Sequence, residues 1–260
     1  MPFMEQGDFR LYYEDSGGSK PAVLFLHGAG GNHLSWWQQV PAFMDDYRCI
    51  TVDQRSFGQS FDIPNGPGCT ALVSDALALL DHLQVERVAL VSQSMGGWTA
   101  VGAALQQPQR FWAIVLANTI GNLTDPNIKA LRQELQATRP ERPPVLWQGA
   151  LGATFQKRQP VQTFLYAQIA GLNAPRPAAF REQLQRMTTP VERYAACNIP
   201  TLFITSDEDI LIWPELSELA HSKVPGARLL RVPAAGHSVY FEQPEVFNRE
   251  IGAFLRTHQP

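Results

Sequence analysis

Val88-Ala89-Leu90-Val91-Ser92-Gln93-Ser94-Met95-Gly96-Gly97 is the stretch that decides the fold. Its four leading apolar residues read as a strand buried on both faces, as in a parallel sheet covered by helices. The segment from Gly96 to Gln107 is rich in small residues and stops at Pro108, which predicts a helix. Between strand and helix lies a small-x-Ser-x-small pattern, Ser92 to Gly96. A turn this tight excludes large side chains two positions either side of its centre. It lifts Ser94 clear of the sheet at a helix N-terminus, where the dipole favours negative charge. The five-residue pattern alone arises roughly once by chance in a chain of this length. An N-cap serine is its plain alternative. The strand before it and the helix after it give it weight.

The same rhythm extends in both directions. Phe9 to Tyr13 reads as a strand after a Gly7-Asp8 turn, Ala22 to Leu26 as a buried strand, and Leu34 to Met44 as helical spacing. Cys49 to Val52 is a further strand. Thr70 to Leu83 carries apolar residues at 72, 73, 76, 77, 80 and 83, one face of a helix. Phe111 to Ala117 is again a strand. Later come a strand at Thr201 to Thr205, a helix at Pro214 to Lys223, a strand at Arg228 to Val232 and a helix at Pro244 to Leu255. This alternation predicts an α/β fold, a parallel sheet with helices on both faces.

From Thr119 to Ile199 the rhythm breaks. No strong strand is visible, and prolines recur at Pro126, Pro140, Pro143, Pro144, Pro160, Pro175, Pro177 and Pro190. The expected organisation is one core domain, 1–118 with 200–260, interrupted by a helical cap at 119–199. A lid over an active site is the functional reading of that insertion, and a packing appendage the plain one.

Composition bounds the function. A chain of 260 residues fits one large domain, and 45% hydrophobic with 17% charged residues is a soluble globular mix. A net charge of −3 gives no electrostatic case for nucleic acid or an anionic membrane. No apolar run approaches the ~20 residues of a membrane span. Met1-Pro2-Phe3-Met4-Glu5 has no basic or apolar leader, so no signal peptide is expected. Cys49, Cys69 and Cys197 are odd in number and scattered, which fits a reducing compartment, and the expected location is cytoplasmic. A second copy of the chain is a partner that the sequence leaves open.

Four clusters fall just after strands, where ligands bind in open α/β sheets. The first is Ser94 with its turn. The second is His27-Gly28-Ala29-Gly30-Gly31, a glycine turn that exposes backbone N–H groups. The amides of Ala29 and Met95 are the expected oxyanion donors, and His27 is expected to bond within the turn. A dinucleotide site is the rival for this segment, with Gly28, Gly30 and Asp53 in outline. His33 stands where its third glycine belongs, and no Gly-Lys-Ser/Thr is present for a phosphate loop.

The third cluster is Ser206-Asp207-Glu208-Asp209 and the fourth Ala235-Gly236-His237-Ser238. Ser94, Asp209 and His237 follow one another as nucleophile, acid and base. A serine hydroxyl is a poor nucleophile at pH 7. It needs a histidine to take its proton and a carboxylate to hold the imidazole tautomer. Asp207 and Glu208 remain alternatives for the acid. Of the other histidines, His82 and His221 fall in helices and His258 in the tail, while His33 lies beside the glycine turn.

The whole set resembles the α/β-hydrolase superfamily over nearly the full chain. The resemblance is carried by His27-Gly28-Ala29-Gly30, the run Asp53-Gln54-Arg55-Ser56-Phe57-Gly58-Gln59-Ser60, Ser94-Met95-Gly96-Gly97, Asp209, Gly236-His237-Ser238 and Glu242-Gln243-Pro244. It implies a mostly parallel eight-stranded sheet flanked by helices, with a helical cap inserted after strand 6. It also implies a serine hydrolase of carboxylic esters or lactones, working through an acyl-enzyme with no metal or organic cofactor. Ser92 and Ser56 replace glycines common in the family. C–C bond hydrolases and cofactor-free perhydrolase-like enzymes share the triad, although many of the former carry Trp where Ser238 stands. A non-catalytic binding protein is a further alternative, which an intact triad disfavours.

The 119–199 segment holds ten Lys/Arg and five Asp/Glu, a charge of +5 against −8 elsewhere. A solvated surface is the plain reading, and a preference for carboxylate-bearing substrates the sharper one. Trp147, Phe155, Phe164 and Tyr166 there, and Trp36 and Trp37 near the glycine turn, are aromatic candidates for either pocket or core.

Overall fold

The computed structural model of the chain describes residues 2–139, 143, 146–175 and 179–260, without the side chains of Leu146, Trp147 and Arg181. Met1, Pro140, Pro144 and Pro177, and the Trp147 side chain, lie outside the described residues. The strands are β1 (Phe3–Gln6), β2 (Phe9–Asp15), β3 (Ala22–Leu26), β4 (Arg48–Val52), β5 (Val88–Gln93), β6 (Phe111–Ala117), β7 (Leu123–Thr124), β8 (Thr189–Pro190), β9 (Thr201–Ser206) and β10 (Arg228–Val232). Eight of them form one sheet in the order β1-β2-β4-β3-β5-β6-β9-β10. The pairings of β1 with β2 and of β2 with β4 are antiparallel, and the rest are parallel.

The helices of the first half are α1 (Val40–Phe43), α2 (Leu72–His82) and α3 (Gly96–Gln106). Between β6 and β9 come α4 (Pro126–Thr138), α5 (Leu146–Ala150), α6 (Ala153–Arg158), α7 (Pro160–Gly171), α8 (Phe180–Arg186) and α9 (Val191–Ala195). The last third adds α10 (Pro214–Ser222), α11 (Val239–Glu242) and α12 (Pro244–His258).

Two apolar layers cover the sheet because successive strand residues point to opposite faces. Leu24 and Leu26 of β3, Leu90 of β5, Ile114 and Leu116 of β6 and Phe203 of β9 meet Val73, Leu77, Leu80, Ala100 and Ala104 of α2 and α3. Val23 and Phe25, Ala89 and Val91, Val115 and Ile204 meet Phe43, Phe247, Ile251, Phe254 and Leu255 on the other side. Each large side chain so buried contributes about 1.5–3 kcal/mol. This double burial is why the strands read as unbroken apolar runs.

Three local expectations are corrected. The Gly7-Asp8 turn is a hairpin, and its first arm is β1, four residues too short for alternation to show. The continuous helix at 34–44 is instead a 3₁₀ turn, His33–Trp36, and then α1. Pro41 has no N–H to continue the ladder from the first turn into the second. The inserted segment holds β7 and β8, which pair parallel, Leu123 with Thr189. Two residues each cannot signal a strand, and Asn122 fastens them by donating from Nδ2 to Met187 O at 3.0 Å.

In the sheet order, β4 lies on one side of β3 and β5 on the other. The chain therefore reverses its direction of travel across the sheet between β3 and β5. A crevice opens at the carboxyl ends of two such strands, and that is where the Ser94 turn and the glycine turn both emerge.

Candidate active site

Ser94 follows β5 with φ +47°, in the left-handed region that costs a non-glycine residue about 1–3 kcal/mol. Its amide donates to Ala117 O at 3.0 Å, so β6 holds the turn in place. Gly96 explains the small-residue demand: a Cβ there would lie 2.1 Å from Leu26 O, a backbone atom of β3. Ser92, the departure on the other side, is fully buried and donates from Oγ to Val115 O at 2.6 Å. Ser94 itself remains partly exposed while the turn around it is buried.

The His loop follows β10. His237 is 4% exposed, and its Nε2 lies 2.7 Å from Ser94 Oγ. Its Nδ1 faces the Asp209 carboxylate, at 2.8 Å from Oδ2 and 3.0 Å from Oδ1. Asp209 is 2% exposed, and its oxygens also accept from the amides of Leu211 (2.8 Å) and Ile212 (2.9 Å) and from Asn118 Nδ2 (3.1 Å). Every other partner of this carboxylate is a donor, so Nδ1 carries the proton and Nε2 is left to accept from the Ser94 hydroxyl. The structure thus brings three distant residues into one hydrogen-bonded line. Asp207 instead pairs with Arg231 on the surface, and Glu208 accepts from Thr154 N at 2.9 Å.

The glycine turn packs directly against Ser94. A Cβ at Gly28 would lie 2.0 Å from Gln93 Oε1 and 2.9 Å from Ser94 Cβ. Ala29 is partly exposed beside it, and Met95 precedes the first turn of α3. Neither amide donates to another described residue. His27 is fully buried: its Nε2 accepts from Gln54 N at 3.0 Å, so its Nδ1–H donates to Gly28 O at 2.8 Å. Both ring nitrogens of that histidine are thus committed to backbone groups. Asp53 is equally committed, accepting from the amides of His33 (2.6 Å) and Gln59 (2.8 Å) and facing His33 Nδ1 at 2.8 Å. Ser56, where the family's glycine is common, has φ +71°.

Two residues at the site escaped the sequence reading. Asn118, directly after β6, is buried with φ +49°, and its Nδ2 reaches Ser206 Oγ (2.8 Å), Asp209 Oδ2 (3.1 Å) and Gly236 O (3.4 Å). It links the acid loop to the His loop. Its position at a strand's carboxyl end, the rule that located the other clusters, was the available signal. Gln93 donates from Nε2 to His237 O at 2.8 Å, joining β5 to the His loop.

The aromatic candidates divide. Trp36 is core, packed on Phe25 and Tyr240. Phe155 and Tyr166 are buried against Phe241, and the Tyr166 hydroxyl bonds Ser238 Oγ at 2.9 Å. Trp37 is exposed against Phe241, and Phe164 is 66% exposed. The cations Lys129, Arg139, Lys157, Arg158, Arg186 and Arg193 of the inserted segment are exposed to solvent. Arg142, Arg176 and the Arg181 side chain lie outside the described residues. Burial pushes the thiols of Cys49 and Cys69 up to about 12 and about 11, which keeps them protonated and inert. Among the described residues no group of three or more His, Cys, Asp or Glu is arranged to hold a metal, and no helix is long and apolar enough to cross a membrane.

Residues 21–244 match the family model described as alpha/beta hydrolase fold. The chain is 28% identical over 263 residues to 3-oxoadipate enol-lactonase 2 of Acinetobacter baylyi, covering 96% of this chain and 94% of that protein. It is 30% identical over 258 residues to a Mycobacterium tuberculosis protein provisionally named as a non-heme bromoperoxidase, covering 94% and 97%. Among solved structures, a thermophilic esterase from Thermogutta terrifontis superposes with a TM-score of 0.79 at 26% identity, over 97% of this chain and 95% of that one. The chain is a hydrolase of the α/β-hydrolase fold family.

Proposed function

We propose that the protein is a serine hydrolase of carboxylic esters or lactones. One observation carries the reading: Ser94 Oγ, His237 and the Asp209 carboxylate form a single line, at 2.7 Å and 2.8 Å. Ser94 attacks the substrate carbonyl as His237 Nε2 takes its proton, and Asp209 stabilises the imidazolium. The amides of Ala29 and Met95 receive the oxyanion; losing one such donor typically costs about 10²–10³ in rate. The imidazolium then protonates the departing alcohol oxygen. Water, activated by the same imidazole, releases the acid and restores Ser94. Residues 119–199 act as a cap above this site. The enol-lactonase and esterase named above are of the substrate class that this chemistry fits.

Ser94→Ala is expected to abolish hydrolysis of a p-nitrophenyl ester while the melting temperature stays near the parent's, and an organophosphonate is expected to label Ser94. Turnover retained by Ser94→Ala refutes the reading. A panel of esters and lactones of graded size then identifies the substrate class. The relative named as a bromoperoxidase favours one alternative, in which hydrogen peroxide rather than water takes the acyl group. Formation of peracid from an ester and peroxide, faster than hydrolysis, is the result that selects it.

A further inference from the structure

Glu242 closes α11, five residues after His237, and is buried. Its Oε2 accepts from Gly236 N at 2.9 Å and Gly152 N at 3.0 Å, and its Oε1 from Ser238 N at 3.3 Å. Gly236 and Ser238 are the residues on either side of His237. One carboxylate therefore grips the backbone on both flanks of the imidazole. Its third bond reaches Gly152, which leads into α6 of the inserted segment. The approach is backbone on backbone: a Cβ at Gly236 would lie 2.1 Å from Gly152 N and 2.6 Å from Leu151 C. Glu208, next to Asp209, holds Thr154 N at 2.9 Å on the same short helix, and its own amide donates to Ala235 O at 2.9 Å.

A buried carboxylate is costly, and among the described residues no cation pairs with this one. The titratable groups near it are Asp209 and His237 in the site, Glu208 across Gly152, and the phenol of Tyr166, itself bonded with Tyr240. Burial, with Asp209 adding to it, lifts the Glu242 carboxyl to about 7 against the three amide bonds that favour its ionised form. Once protonated, it would turn an O–H toward a set of N–H donors and lose at least one of them.

We propose that Glu242 is a positioning residue for His237, aiming the imidazole at Ser94 and tying that aim to the seating of the inserted segment through Gly152. This rests on the serine-hydrolase reading of the site. Glu242 contacts no substrate; it acts through the amides at 236, 238 and 152.

The experiment measures kcat and KM of the parent, Ser94→Ala and Glu242→Gln on a p-nitrophenyl ester from pH 5 to 9, with circular dichroism as a check of folding. Glu242→Gln is expected to lower kcat at pH 8 by about tenfold or more, with KM within about twofold. As pH falls through about 7 the parent is expected to lose the advantage it holds at pH 8, so that its kcat converges on that of Glu242→Gln. Hydrogen exchange is expected to quicken together at 150–156 and 236–240 in the variant. A folded Glu242→Gln with the parent's kcat overturns the proposal. If the variant does not fold, Glu242→Asp, which keeps the charge on a side chain one methylene shorter, takes its place, and a folded Glu242→Asp with the parent's kcat overturns the proposal equally. An inert parent, or an active Ser94→Ala, sinks the serine-hydrolase reading itself and is distinguishable from both.

Discussion

Replacing Asp209 with asparagine exchanges one oxygen for an NH₂ and tests the proton logic of the site. The carboxamide has two orientations. With its oxygen toward Leu211 and Ile212 it keeps the two amide bonds that Oδ1 now accepts at 2.8 and 2.9 Å. Its NH₂ then occupies the Oδ2 position, 2.8 Å from His237 Nδ1. The opposite orientation would set the NH₂ against two buried backbone N–H groups and leave both unpaired, at about 1–3 kcal/mol each. The first orientation therefore wins by on the order of 2 kcal/mol or more. Its NH₂ also meets Asn118 Nδ2; turning the Asn118 amide brings Oδ1, which has no partner among the described residues, into that contact at the loss of the Nδ2 bonds to Ser206 Oγ and Gly236 O. The group nearer to Nδ1 is then a donor, at 2.8 Å against 3.0 Å for the oxygen, so Nδ1 becomes the acceptor and the imidazole proton moves to Nε2. Nε2–H then points at Ser94 Oγ and cannot accept its proton. The expected loss in kcat is about 10⁴-fold, equivalent to about 5.5 kcal/mol of barrier. KM is expected to change little, because a side chain this deeply buried does not reach substrate. Steady-state hydrolysis of a p-nitrophenyl ester, with a thermal melt to show the fold intact, measures it. A folded Asp209→Asn whose kcat stays within tenfold of the parent would refute the assignment of the Nδ1 proton.

Gly96→Ala places a Cβ 2.1 Å from Leu26 O and 2.7 Å from Leu26 C, backbone atoms of a central strand that cannot rotate aside. It is expected to cost about 3 kcal/mol or more, the upper range for overpacking; an unchanged urea midpoint would contradict the tight-turn argument. The Glu242 carboxyl sits at about 7 in the folded protein and near 4.5 unfolded, so between these values the folded state holds the extra proton. Stability contributed by that proton is complete below about pH 4, and is lost as pH rises to 7, by up to about 3 kcal/mol. Denaturant unfolding of parent and Glu242→Gln across pH 4.5–7.5 is expected to show their difference shifting in favour of Gln as pH rises. A difference independent of pH would mean the carboxyl titrates normally.

How much of this was readable depends on how each feature is encoded. β3, β6 and β10 match their expected bounds residue for residue, the first two because burial on both faces demands apolar side chains at every position. For β10 the reason differs: as an edge strand it exposes Arg228 and Arg231, and it was found from the rhythm of its neighbours. The continuous helix at 34–44 failed because the apolar spacing of two consecutive short turns mimics one long helix, while the break comes from a missing N–H at Pro41. Ser94, Asp209 and His237 were legible through their place after strands, although 143 residues separate the first and last.

Asn118 and Glu242 were not readable as partners of the site, each for its own reason. Asn118 meets the side chains of Ser206 and Asp209 some 90 positions away, beyond the reach of any local pattern, while Glu242 meets the amides of 152, 236 and 238, atoms that do not depend on residue identity. Nearly every residue carries an N–H and a C=O, so a carboxylate that gathers three amides across 90 positions leaves little trace in their names. The trace it does leave is steric. Gly152 and Gly236 are glycines whose φ is not left-handed, so their freedom to turn is not what the fold uses. Their missing Cβ atoms are what let the inserted segment and the His loop meet at backbone distance. A glycine without a turn, in a loop beside a catalytic candidate, thus marks a place where two main chains touch. An acidic residue near it in the sequence is then the natural candidate to bridge them.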